Sequence, residues 1–197
     1  MKKAFAIMMV AAVIGTAAFA QEKPGLLSAG VIGVPLFGTY LGDANEGLGY
    51  AGFGFGAFFD AKYGVVSLGM DIVRDKYEGL KDLYSAKFFS IGLLGKYPIA
   101  IGNRFTIAPA FGFEYMVFTS WGPFKRADAK KSLEGSGYSV ANQYDNFVLK
   151  FGALADYTIT GGLYARLGVL FDIGLSHKDA KDSKFGAEIP FGIGYRF

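Results

Sequence analysis

The sequence predicts an all-β chain in which eight antiparallel strands close, in up-and-down order, into a transmembrane β-barrel that follows a cleaved signal peptide. Three observations carry this expectation. First, the last fourteen residues alternate strictly: Phe185, Ala187, Ile189, Phe191, Ile193, Tyr195 and Phe197 are apolar or aromatic, and Lys184, Gly186, Glu188, Pro190, Gly192, Gly194 and Arg196 stand between them. A period of two over that length belongs to a strand, because a helix would mix the two faces. The run exceeds the five or six residues of an average strand, roughly, and reaches the roughly 9 to 11 residues with which a tilted strand crosses a bilayer. Second, Lys2 and Lys3 precede an apolar run from Ala4 to Ala18 and an Ala18-Phe19-Ala20 cleavage site, the pattern of a secretory signal over residues 1–20. Third, the full sequence holds 29 glycines and a large aromatic share without collagen period or low-complexity repeat, which fits closely approaching strands in one domain over residues 21–197.

Charge and cysteine content narrow the function classes. Loss of Lys2 and Lys3 leaves 18 basic against 17 acidic residues, and a net charge so near zero predicts no nucleic-acid partner. Cysteine is absent, so neither a disulfide nor a cysteine-based metal motif can form, and no lipoprotein anchor follows the cleavage site. No metal and no cofactor is expected.

Strand one, about Leu26 to Phe37, reads as apolar on both faces, with Ile32, Val34 and Leu36 or Ala29 and Val31 equally able to lie outward. A polar loop through Gly42-Asp43-Ala44-Asn45 leads to strand two, about Leu48 to Asp60, where Ala51, Phe53, Phe55, Ala57 and Phe59 oppose Gly52, Gly54 and Gly56. A tight turn at Ala61-Lys62 then predicts pairing of Asp60 with Tyr63, Phe58 with Val65 and Gly52 with Asp71. Strand three, about Tyr63 to Arg74, sets Val66, Leu68, Met70 and Ile72 against Ser67, Gly69 and Asp71. After a charged loop, strand four, about Tyr84 to Tyr97, sets Phe89, Ile91 and Leu93 against Ser90, Gly92 and Lys96, with a turn at Pro98 to Asn103.

Strand five, about Arg104 to Phe118, carries Phe105, Ile107, Phe111, Phe113, Tyr115 and Val117 against Thr106, Ala108, Ala110, Gly112 and Glu114. The long segment from Thr119 to Tyr144 reads as irregular. Strand six, about Asp145 to Ile159, places Phe147, Leu149, Phe151 and Tyr157 outward and Lys150, Gly152 and Asp156 inward. A Thr160-Gly161-Gly162 turn leads to strand seven, about Leu163 to Leu175, with Leu167, Val169, Phe171 and Ile173 against Arg166, Gly168 and Asp172. Strand eight is the closing run. Longer polar connections after the odd strands and tight turns after strands two, four and six are the asymmetry of a membrane barrel.

Which face meets what decides between this barrel and a soluble one of lipocalin type. Within the strands, Asp71, Lys96, Glu114, Lys150, Asp156, Arg166, Asp172 and Glu188 share the glycine face, and the other face is apolar. A narrow lumen takes glycine and charge, whereas so many large rings exceed what an eight-stranded cavity holds. Aromatic residues at strand ends read as girdles, with Phe59, Tyr97, Phe105, Tyr157, Tyr195 and Phe197 at one rim and Phe37, Tyr84, Phe118, Trp121 and Phe147 at the other. Across the Thr160-Gly161-Gly162 turn, a three-residue loop sets Lys150 opposite Asp172 and Asp156 opposite Arg166. These are expected as ion pairs which, with Glu114 and Glu188, plug the lumen.

The signal peptide, the eight alternating strands and the terminal Gly192-Ile193-Gly194-Tyr195-Arg196-Phe197 resemble the small bacterial outer-membrane β-barrel family, which includes the OmpA transmembrane domain, OmpX and OmpW. The resemblance implies residence in the outer membrane with both mature termini periplasmic, contact with outer-membrane lipid, and a monomeric state. It further implies that Ile193, Tyr195 and Phe197 serve as the signal read by the barrel assembly machinery. Three functions fit such a barrel. The first is a non-catalytic protein whose external loops make surface contacts or support membrane integrity. The second is a narrow or lateral pathway for small or apolar molecules. The third, a lipid-modifying enzyme, is disfavoured: His177 and Ser176 are adjacent, and adjacent residues of an extended chain point apart. Lys125, Arg126, Lys130 and Lys131 form a basic loop group that would meet lipopolysaccharide phosphates or a host polyanion.

Overall fold

A computed structural model describes residues 27–41, 49–76, 85–134, 136, 139–175 and 184–197. Residues 1–26 lie outside these, as do His177, Ser176, Tyr84 and the loops at 42–48, 77–84 and 176–183. Eight long strands are described: β1 (Leu27–Tyr40), β2 (Gly49–Ala61), β3 (Gly64–Lys76), β4 (Ala86–Lys96), β5 (Phe105–Trp121), β6 (Asn146–Thr160), β7 (Leu163–Leu175) and β8, which runs through Lys184–Glu188 and Phe191–Arg196. Each is antiparallel to its neighbours in chain order, and β8 pairs with both β7 and β1, so the sheet closes without an edge. Closure removes the unpaired strand edges that an open sheet would leave.

The register fixes the tilt of the wall. Stepping across paired residues from Ala29 leads through Phe59, Val66, Leu93, Phe113, Leu149, Ile173 and Phe185, and returns to β1 at Thr39. The circuit climbs ten residues from Ala29 to Thr39. With about 3.3 Å per residue and about 4.8 Å between strands, a climb of that size over eight strands tilts them by about 40°. The eight residues from Ala29 to Phe185 on this circuit are all outward and all apolar.

The same geometry settles the facing of β1. Val31 is 65% exposed and Phe37 is also exposed, whereas Leu36 and Ser28 are buried. Both faces look apolar in the sequence because the lumen itself needs Ile32 and Leu36 in its packed layers.

Several sequence expectations shift. The β2–β3 turn is Lys62-Tyr63, with Ala61 opposite Gly64, so Gly54 and not Gly52 faces Asp71, and Phe58 faces Ser67. The slip is two residues, which leaves every side chain on its assigned face. The segment after β4 is not all turn: Ile99–Ile101 pairs with the start of β5, and the reversal falls at 102–104 with Gly102 at φ 68°. The segment 119–144 is partly regular, since β5 continues to Trp121, a short strand follows at Phe124–Lys125, and two short helices occupy α1 (Arg126–Ser132) and α2 (Val140–Gln143). Pro190 interrupts the hydrogen-bond ladder of β8 without breaking its register, because Gly168 N–H still donates to Pro190 O at 2.8 Å and Ile189 N–H to Pro35 O at 3.0 Å. Phe118 is no girdle residue. It shares the even parity of Glu114, points inward and is 3% exposed.

Candidate functional site in the barrel lumen

Inside the wall the side chains form four layers. At the end where Leu27 and Phe197 meet, Arg166 is the hub of a charged layer. Its Nε donates to Asp156 Oδ1 at 2.7 Å, its Nη2 donates to Asp156 Oδ2 at 2.9 Å, and Nη2 also reaches Asp60 Oδ2. Lys96 Nζ lies 2.7 Å from Asp60 Oδ1, and Arg196 Nη2 lies 3.5 Å from Asp156 Oδ2. Aromatic faces back these cations: the Arg166 guanidinium carbon stands 4.7 Å from the Phe58 ring centre and that of Arg196 4.5 Å from the Tyr164 ring centre. Such stacking adds attraction that a lysine would not make in the same form.

Tyr164 is fully buried here, and its hydroxyl lies 2.8 Å from Ser28 Oγ. A Cβ at Gly194 would stand 2.5 Å from the Tyr164 ring. Only glycine leaves room for that ring, which is why the narrow wall carries glycine opposite its largest inward side chains.

Next comes an apolar layer of Phe58, Val65, Leu94, Leu154 and Leu170. Above it lies a second charged layer centred on Lys150, whose Nζ meets both carboxylate oxygens of Glu188 at 2.7 Å and Glu114 Oε2 at 3.0 Å. Asp172 is the cross-strand neighbour of Lys150, yet among the described residues no ion pair joins them, and Asp172 Oδ1 has no protein hydrogen-bond partner. Asp71 Oδ2 is likewise unpartnered. A cavity of about 60 Å³ below this layer is lined by Asp71, Ser90, Glu114, Lys150 and Glu188 with apolar neighbours, and one of about 40 Å³ above it by Tyr50, Phe88, Asp172, Lys184 and Glu188 among others.

The fourth layer closes the long-loop end. Leu36, Tyr50, Val73, Phe88 and Phe118 pack together, and the β5–β6 segment folds down on them through Ala129, Phe124 and Tyr144. Phe118 and Tyr144 stack at 5.0 Å between ring centres. Asp145 ties this cap to the wall by accepting from the Phe118 N–H at 3.0 Å, the Tyr115 hydroxyl at 2.9 Å and Arg126 Nη2 at 3.0 Å. The bond to Asp145 holds the Arg126 pKa above its ordinary value.

The sequence-derived site residues thus separate. Asp156 and Arg166 belong to one charged layer, and Glu114, Lys150 and Glu188 to the other, with Asp172 beside the latter. The Lys150–Asp172 ion pair is not formed: its two members face each other on the ladder, but the flexible lysine reaches instead to two carboxylates on other strands. Asp60, Lys96, Asp71 and Arg196 are further members. Asp60 was legible as inward from its parity, although it sits beside a turn. Of the basic loop group, Lys125, Lys130 and Lys131 are exposed, whereas Arg126 is committed to Asp145. Ile193, Tyr195 and Phe197 all lie exposed on the outer wall. Among the described residues, no group of acidic, histidine or cysteine side chains is arranged to hold a metal.

A closed, tilted wall of eight antiparallel strands, apolar outside and filled inside, is the fold of the small outer-membrane β-barrel proteins. Among solved structures the chain is similar to Neisserial surface protein A, at 12% identity and a TM-score of 0.51 over 89% of this chain and 100% of that one. Others are OprG from Pseudomonas aeruginosa, at 15% identity and a TM-score of 0.49 over 89% and 97% of the two chains, and Ail of Yersinia pestis, at 15% identity and a TM-score of 0.44 over 89% and 100%. At these identities the likeness concerns the fold alone. No protein-family model and no curated protein matches the sequence.

Proposed function

We propose that the protein is an integral, non-catalytic barrel of the bacterial outer membrane whose lumen is sealed by its own side chains and whose loop end makes surface contacts. In this reading the termini and tight turns face the periplasm and the long loops face outward. The carrying observation is the division of the wall: the outward ring from Ala29 to Phe185 is wholly apolar, while at the height of that belt charge lies inside, in two layers separated by packed rings. A belt of that size is far larger than the apolar patches tolerated on soluble monomers, and lipid is the medium that covers it. The exposed Ile193, Tyr195 and Phe197 on the last strand fit recognition by the barrel assembly machinery, and the exposed Lys125, Lys130 and Lys131 fit contact with anionic groups outside. The barrel is expected to act as a monomer.

Planar-bilayer recording tests the sealed lumen. The folded protein is expected to insert without steady conductance, because two apolar layers and two ion-paired layers lie across the path. A reproducible single-channel step from the wild-type protein overturns the sealed reading and favours the pathway for small molecules.

A further inference from the structure

The outer wall carries charge in one place. Among strand residues with described side chains, every outward position from β1 to β8 is uncharged except Arg74 on β3 and Lys87 on β4, both exposed and both at the long-loop end. Lys125 joins them through the ladder: Lys87 pairs with Ser120 of β5, and Ser120 pairs with Lys125. Paired residues share a face, and the neighbouring Phe124 packs inward, so the alternation of the strand turns Lys125 out. Arg74 lies two residues beyond Ile72, the partner of Lys87. Its Nε donates to Ser85 Oγ at 2.9 Å, which ties down one of its three guanidinium nitrogens. With strands about 4.8 Å apart and about 3.3 Å per residue, Lys87 starts within about 10 Å of each of the other two cations on the wall, and Arg74 and Lys125 flank it about 15 Å apart. No carboxylate among the described residues forms an ion pair with any of them.

Height decides what such a cluster meets. Directly below it the wall is apolar, with Met70 opposite Phe89 and Phe89 opposite Val117, so the cluster sits where an apolar belt ends. At the matching rim the other strands present Phe37, Ala51, Phe147, Leu175 and Phe185 outward, without charge.

We infer that Arg74, Lys87 and Lys125 form a binding site for the phosphate headgroup of a membrane lipid, whose acyl chains run down the wall over Met70, Ile72 and Phe89. Guanidinium binds phosphate by paired hydrogen bonds and lysine adds point charge. A free anion would gain nothing from the apolar track, and a protein partner would have to compete with the bilayer for it. The inference rests on the outer-membrane reading proposed above.

Native mass spectrometry of the folded protein in detergent tests it, with bis-phosphorylated lipid A, its dephosphorylated form and phosphatidylcholine as probes. The wild-type protein is expected to retain bis-phosphorylated lipid A at concentrations where it retains neither of the others. Arg74→Gln with Lys87→Gln is expected to weaken retention roughly tenfold or more, with Lys125→Gln giving a smaller loss and Lys62→Gln with Arg104→Gln, exposed cations at the tight-turn end, none. Folding of each variant is read by heat-modifiable gel mobility, and Lys125→Gln alone serves if the double variant does not fold. Equal retention of phosphorylated and dephosphorylated lipid, or a loss confined to Lys62→Gln with Arg104→Gln, overturns the site. Phosphate-selective binding by a protein absent from outer-membrane fractions overturns the location and leaves the site standing, whereas an outer-membrane protein without selectivity does the reverse.

Discussion

Arg166→Ala is expected to destabilise the folded barrel by about 3 to 5 kcal/mol, read as a lowered urea midpoint of the protein folded in lipid vesicles. The arginine side chain is 1% exposed and pairs with Asp156 and Asp60. Its removal leaves Asp156 with only the longer contact to Arg196 and Asp60 with Lys96 alone. The cost comes from stranding buried carboxylates, since the intact pair itself gains little over desolvation. Replacing both partners, as Arg166→Met with Asp156→Leu, is therefore expected to recover most of the loss. A loss in the double variant equal to the sum of the two single losses contradicts the pairing.

Lys150→Met is expected to have an effect of similar size. Among the described residues Lys150 is the only cation paired with Glu114 and Glu188, and Asp71 and Asp172 lie close by. A buried carboxylate without a partner costs several kcal/mol or takes up a proton. Double-mutant cycles separate the partners: Lys150→Met with Glu188→Gln is expected to show a coupling of about 1 to 3 kcal/mol, larger than the coupling with Asp172→Asn. The opposite ranking would restore the cross-strand ion pair that the alternation alone predicts.

These two layers show where sequence reasoning carries and where it stops. Parity along a strand assigned the charges to the lumen, because a period of two survives any register slip of two residues. It could not choose among partners, since a lysine reaches beyond its ladder neighbour, and so Asp172 was paired where Glu188 and Glu114 are. The register across the Gly161-Gly162 turn was legible because the turn is short and glycine-marked, and the ladder does set Asp156 opposite Arg166. At the β2–β3 turn, no glycine marked the loop, and the pairing slipped by two. Facing stayed open for β1, whose inward Ile32 and Leu36 pack in apolar layers that composition does not separate from a lipid face. Phe118 was misplaced for a related reason: an aromatic at a strand end reads as a girdle residue, whereas its parity already pointed it inward toward Tyr144 and Phe124. The helices of the β5–β6 segment left no signal, being seven and four residues long and held by the cap contacts of Asp145 and Ala129 more than by propensity.

The central claim is that the exposed wall meets lipid. Since the chain contains no cysteine, single cysteines at Val31, Phe111, Leu167 and Ile193 on the wall, and at Ala127 on the loop cap as a control, can each carry one fluorophore in the protein folded into bilayers. Lipids brominated along their acyl chains are expected to quench the four wall positions strongly and Ala127 weakly. Unquenched wall positions in a folded protein would contradict the account, for the apolar belt would then face something other than the bilayer.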